Sequence, residues 1–145
     1  MLPLPIGLQL YSIREVLNAN YEAGIRAVAA MGYAGVETAG FPGTTPIAAA
    51  RLFSELGLRV SSMHTTMPVG EKQQEVLDAA AAVGAPRLVM AWRPPEMFST
   101  LDGIRRVCDE LNEADTVCRA HGLTAGYHNH DQEFQVIEGR PALLH

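Results

Sequence analysis

Several protein classes are excluded by what this 145-residue sequence has little of. Its two cysteines, Cys108 and Cys118, make no CxxC pair and no metal-type spacing, so nothing calls for an oxidising compartment. Both are expected on the apolar side of a helix, as small buried hydrophobes. No apolar run approaches the roughly 18–20 residues that span a bilayer, and no membrane association is expected. The opening "MLPLPIGLQLYSIRE" lacks a basic start and carries two prolines, which suits a signal peptide poorly. The expected compartment is the cytoplasm. Basic runs are also missing and the formal net charge is −5, which argues against a nucleic-acid partner. There is no GxGxxG after the first apolar run and no GxxxxGK[ST], so the common nucleotide cradles are absent.

What is present is an ordinary globular composition, 48% hydrophobic and 19% charged with mean hydropathy +0.04, in a chain long enough for one domain. Four glycines organise it. "AAMGYAGVETA", "SELGLRVSSMH", "AAVGAPRLVMA" and "RAHGLTAGYHN" each close an amphipathic run with Gly32, Gly57, Gly84 or Gly122 and then begin a short apolar run. Glycine just past a helix end adopts the left-handed conformation that other residues resist.

The runs before those glycines have helical period. Tyr21, Ile25, Val28 and Ala29 share a face, with Asn18 or Asn20 as cap. In "TTPIAAARLFSELG", Thr44 or Thr45 caps, Pro46 lies in the first turn, and Ile47, Leu52, Phe53 and Leu56 form the buried side. "GEKQQEVLDAAAAVG" starts acidic, as the helix dipole favours. From about Leu101 to His121, a stripe of Ile104, Val107, Cys108, Leu111 and Cys118 predicts a long helix. With a first strand in "IGLQLYS", the order is β-α-β-α-β-α-β-α-β, which implies parallel strands and right-handed crossovers. "AWRPPEMFST" is the one long loop, and "EFQVIEGRPALLH" reads as a loop and a starting helix with Pro141 in its first turn.

A doubly wound sheet and a TIM-type barrel both fit this order. Polar residues decide between them. Gln9 and Tyr11 lie in the first strand, Glu37 ends the second, His64 the third, Trp92 and Arg93 follow the fourth, and His128 and His130 end the fifth. A ring of strands brings all of these to one mouth. The expected fold is therefore α/β, a parallel (β/α) barrel of TIM type truncated to about five strands in order 1-2-3-4-5.

The segments "IGLQLYSIRE", "GYAGVETAGFPG", "SSMHTTMP" and "GYHNHDQEF" resemble strands one, two, three and five of the xylose isomerase-like TIM-barrel superfamily. They look closest to its sugar phosphate isomerase/epimerase branch, where YHNHDxEF is a familiar string. The resemblance implies that residues 1–145 form a single domain, the N-terminal portion of a (β/α)₈ barrel nearly twice as long. It also implies a divalent metal (Mn, Co, Zn or Mg) held by a Glu or His on strand five and then by Asp, His and Glu. His128 maps onto the first of these positions, with His130 second, and the other three lie beyond residue 145.

The activity implied is sugar or sugar-phosphate isomerisation or epimerisation by metal-assisted proton abstraction next to a carbonyl. Glu37 and His64 are the candidate catalytic groups, and Gln9, Tyr11, Trp92 and His130 the candidate contacts to a sugar or polyol. Glu133 is a carboxylate placed to orient the imidazoles. The alternatives are a keto-inositol or polyol dehydratase of the same fold, which begins with the same proton removal, and an inactive half-barrel. An endonuclease of the superfamily would want a basic mouth. Open strand edges predict a homo-oligomer.

Overall fold

A computed structural model describes residues 4–145. Five short strands, β1 (Gly7–Gln9), β2 (Gly35–Thr38), β3 (Arg59–Thr65), β4 (Arg87–Met90) and β5 (Thr124–Tyr127), alternate with helices α1 (Arg14–Ala19), α2 (Tyr21–Ala30), α3 (Pro46–Glu55), α4 (Gln73–Val83) and α5 (Leu101–Ala120). The sheet is wholly parallel and its order is β1-β2-β3-β4-β5, as the repeat predicts. β1 and β5 are not paired with each other, so the sheet is an open part of a barrel.

Local chemistry sets the element boundaries. Asn20 Oδ1 accepts from the Ala23 amide at 3.0 Å, and Thr45 Oγ1 from that of Ala48 at 3.2 Å. Thr100 Oγ1 accepts from Gly103 at 3.1 Å, so three helices start on a side-chain cap. Gly32, Gly57, Gly84 and Gly122 all have φ between 66° and 89°, the conformation their place after a helix requires.

The core lies between the sheet and the helices. Ile25, Val36, Leu88, Ala80 and Cys118 are fully buried there, joined by Phe53 and Met63. Along β2, Val36 and Thr38 face this layer while Glu37 between them does not, the two-residue alternation of a strand. A bulge in β3 moves the pairing from Val36↔Val60 to Glu37↔Ser62. The extra residue keeps Met63 in the core and leaves His64 on the other face, where the site lies.

Four expectations need correction. Tyr11 lies in a 3₁₀ turn over Leu10–Ile13 that follows β1, not in the first strand. Cys108 is exposed, whereas Cys118 is buried. The buried stripe of α5 runs Ile104, Val107, Ala114 and Cys118, and Cys108 sits roughly 80° from its centre at 100° per residue. Ile47 is 60% exposed, because the first turn of α3 overhangs the open face instead of the core. The C-terminal segment begins no α-helix. Val136–Ile137 (β6) and Arg140–Pro141 (β7) form an antiparallel hairpin, followed by a 3₁₀ turn over Ala142–Leu144. Glu138 and Gly139 both have positive φ (46° and 86°), as a tight two-residue hairpin turn demands.

Thr38 is fully buried and its Oγ1 finds no partner among the described residues. Thr38→Val keeps the shape and removes a desolvated hydroxyl, so we expect a gain of about 1 kcal/mol, roughly 3 °C in Tm. A calorimetric melt at or below the wild-type Tm would show that the hydroxyl has a partner.

Candidate functional site

The polar residues at the strand ends do converge. A cleft of about 1250 Å³ opens at the C-terminal ends of the strands and is lined by Gln9, Tyr11, His64, Trp92, His128 and His130. It is walled by the loop after β2, through Gly40 and Phe41, and by one face of α4. Of the polar residues expected at the mouth, Glu37 and Arg93 do not line the cleft, nor does Glu133. Glu37 lies on the same sheet face, paired in register with Gln9 on one side and Ser62 on the other.

Three imidazoles form the centre. The ring centroids of His64 and His128 are 4.7 Å apart, and those of His128 and His130 are 5.0 Å apart. Gln9 Nε2 donates to His64 Nδ1 at 3.0 Å. An amide nitrogen has only protons to offer, so Nδ1 is the acceptor and the ring proton of neutral His64 sits on Nε2. That Nε2 is buried and has no partner among the described residues, and neither does Nδ1 of His130. Burial holds the His64 pKa below the ordinary histidine value; the charge of Glu37 opposes this, and His128 and His130 reinforce it.

A depressed histidine pKa means that the unfolded chain binds the proton more tightly. This contribution to stability is therefore complete above the unfolded value near 6.5, and it is lost as pH falls toward the folded value. Melts at pH 7.5 and pH 5.5 should show a larger Tm loss for the wild type than for His64→Gln. Equal losses would remove His64 from the titrating set.

Glu37 is fixed by Ser62, whose hydroxyl donates to Glu37 Oε2 at 2.5 Å. Nothing in the strand pattern singled out Ser62, although its position two residues before His64 places it on the same face. Tyr11 and Trp92 are half-exposed aromatic walls. Arg14 stacks over the Tyr11 ring at 4.5 Å. Arg93 turns away, donating to Glu110 at 2.7 Å and to the Trp92 carbonyl at 3.0 Å.

Glu133 acts differently from the expectation. It is fully buried and accepts from the Tyr127 hydroxyl and, at 2.7 Å, from the His130 backbone amide. It therefore fixes the chain that carries His128 and His130, not their rings. Burial, and then this bond to Glu133, push the Tyr127 pKa up.

Imidazole nitrogens suit Mn, Co or Zn, but on His64 Nδ1 is taken by Gln9 and Nε2 carries the proton, which leaves the unpartnered Nδ1 of His130 as a nitrogen of that kind. However, no three His, Cys, Asp or Glu side chains among the described residues converge as a ligand set does. The residues present do not by themselves fit a divalent ion.

No protein-family model and no curated protein matches the sequence. Solved structures do match. Two sugar phosphate isomerase/epimerase structures from Parabacteroides distasonis ATCC 8503 align at 22% and 23% identity, with TM-scores of 0.74 and 0.75. Each alignment covers 97% of this chain but only 59% and 63% of the other. An AP endonuclease, family 2, from Brucella melitensis aligns at 15% identity and TM-score 0.61, over 86% of this chain and 55% of that one. The shared fold is thus part of a TIM-type (β/α) barrel, and the chain spans about three fifths of the length of the structures it matches.

Proposed function

We propose that these five strands form the carbohydrate-binding side of the mouth of a sugar isomerase or epimerase. The observation that carries this reading is the contact of His64, His128 and His130 beside Gln9 in one cleft, with Glu37 next to Gln9 on the adjoining sheet face. In this role the Nε2–H of neutral His64 donates to a sugar carbonyl oxygen, and Gln9 fixes the tautomer that makes this possible. Glu37, held in one rotamer by Ser62, accepts the proton from the neighbouring carbon. Tyr11 and Trp92 pack against the sugar's apolar face, and His130 bonds a hydroxyl. His128 takes the position of a metal ligand, and further ligands would have to come from outside these residues. Titration of this chain with Mn²⁺, Co²⁺ or Zn²⁺ is accordingly expected to give weak binding, since a divalent site needs three or four protein ligands.

The test is ligand response at the histidines. Adding D-fructose to isotopically labelled protein should shift the ring signals of His64, His128 and His130 and leave His121 unchanged. Proton exchange at the carbon next to the sugar carbonyl, followed in D₂O, reports whether the pair Glu37 and His64 acts without further strands. Unmoved ring signals at tens of millimolar sugar would end the proposal.

The open edges bear on assembly. Ile6 beside β1 is 68% exposed, and Phe134 and Val136 after β5 are 54% and 67% exposed. Unpaired strand edges with apolar neighbours favour pairing between chains. A homo-oligomer is therefore expected in sedimentation velocity at micromolar concentration, and one monomeric boundary would contradict it.

A further inference from the structure

We infer that this cleft selects an uncharged, hydroxyl-rich ligand, an unphosphorylated sugar or cyclic polyol, and disfavours its phosphorylated counterpart. The inference rests on the carbohydrate reading above and adds the charge of the ligand to it.

Three observations support it. First, no Lys or Arg among the described residues lines the cleft, whereas Glu75 and Asp78 of α4 do, with Glu37 on the adjoining sheet face. Second, the cations around the rim are already committed. Lys72 is paired with Glu75 at 2.6 Å, and Arg93 with Glu110 at 2.7 Å. Arg14 lies over the Tyr11 ring and donates to the Tyr11 carbonyl at 3.1 Å. A phosphate would have to break one of these contacts to gain a counter-charge.

Third, the helix N-terminus that borders the cleft is a poor anion cradle. α3 begins at Pro46, which has no N–H. Thr45 Oγ1 already takes the Ala48 amide, and the Thr45 carbonyl takes that of Ala49. Only the Ile47 amide is left to a ligand among these first donors, where phosphate sites at helix ends use several. A neutral sugar meets a better-matched lining: the Gln9 amide, the hydroxyls of Thr65 and Thr66, three imidazoles, and the aromatic faces of Tyr11 and Trp92.

The experiment compares D-fructose with D-fructose 6-phosphate, and myo-inositol with inorganic phosphate, on the 145-residue chain by ligand-observed NMR at pH 7.5 and low salt. We expect each phosphorylated or anionic probe to bind about tenfold more weakly than its neutral partner, from like-charge repulsion. Added salt and Asp78→Asn should both narrow the gap. D-Fructose 6-phosphate binding as tightly as D-fructose, or more so, would overturn the inference and leave the carbohydrate site standing. A gap that ignores both salt and Asp78→Asn would overturn it too, because charge would not be its cause. If no sugar binds at all, the site reading falls and the inference falls with it.

Discussion

Gly103→Ala is expected to destabilise the chain by about 3 kcal/mol, although it replaces glycine by the best helix former inside an α-helix. An ordinary exchange of this kind gains up to about 1 kcal/mol from helix propensity. Here a Cβ on Gly103 would stand 2.3 Å from the carbonyl oxygen of Met97 and 2.9 Å from its carbonyl carbon. These are backbone atoms of the 3₁₀ turn Pro95–Phe98, so no side chain can rotate to make room. The turn must move, and with it Phe98, which packs on Ile104 and Val107. The clash outweighs the propensity gain, and the sign reverses.

Gly122→Ala is the useful contrast. That position has open space for a Cβ but φ of +71°, so it should lose only about 1 kcal/mol, from backbone strain. Urea unfolding of both variants checks the order. Gly103→Ala matching the wild type would mean that α5 and the turn are less closely packed than their geometry states. Because the turn continues the loop bearing Trp92, the same variant should also weaken any sugar response at the cleft.

The sequence carried the architecture through local rules that need no tertiary knowledge. Glycines with positive φ, Asn20, Thr45 and Thr100 as caps, and apolar strands between them define the five repeats. The converging site was legible for the same reason, since polar residues at the ends of parallel strands must share one rim. What failed to show lies where partners are distant in the chain or absent from it. Ser62 matters because a bulge puts it opposite Glu37, and no periodicity announces a bulge. Ile47 looks like a core residue on a helical wheel, yet the first turn of α3 projects past the sheet. Cys108 falls at the edge of its stripe, where a wheel cannot distinguish burial from exposure. Glu133 was visible as an acid near two histidines, but its bonds to a backbone amide and to Tyr127 depend on the 3₁₀ turn over Gln132–Phe134.

Glu133 should accordingly be the most sensitive polar position in the chain. Glu133→Ala is expected to cost about 3 kcal/mol, because it empties a fully buried site and strands two partly buried donors, the Tyr127 hydroxyl and the His130 amide. The loss should extend to the cleft. The residues between β5 and the turn carry His128 and His130, and the carboxylate is their tie to Tyr127 in the strand. Without it the contacts of His128 with His64 and with His130 should loosen, which NMR reads as broadened or displaced ring signals. Glu133→Gln separates shape from charge. Its amide oxygen can still accept one bond, so the variant should fold with an intermediate loss. Adding Tyr127→Phe to Glu133→Ala removes one of the stranded donors and should recover about 1 kcal/mol, a coupling measurable in a double-mutant cycle. A core substitution of equal cost far from the turn, such as Ile25→Ala, supplies the control, since it should leave the imidazole signals where they are. If Glu133→Ala and Ile25→Ala disturb those signals alike, the carboxylate is an ordinary part of the core. If Glu133→Ala alone disturbs them, the carboxylate sets the geometry of the mouth.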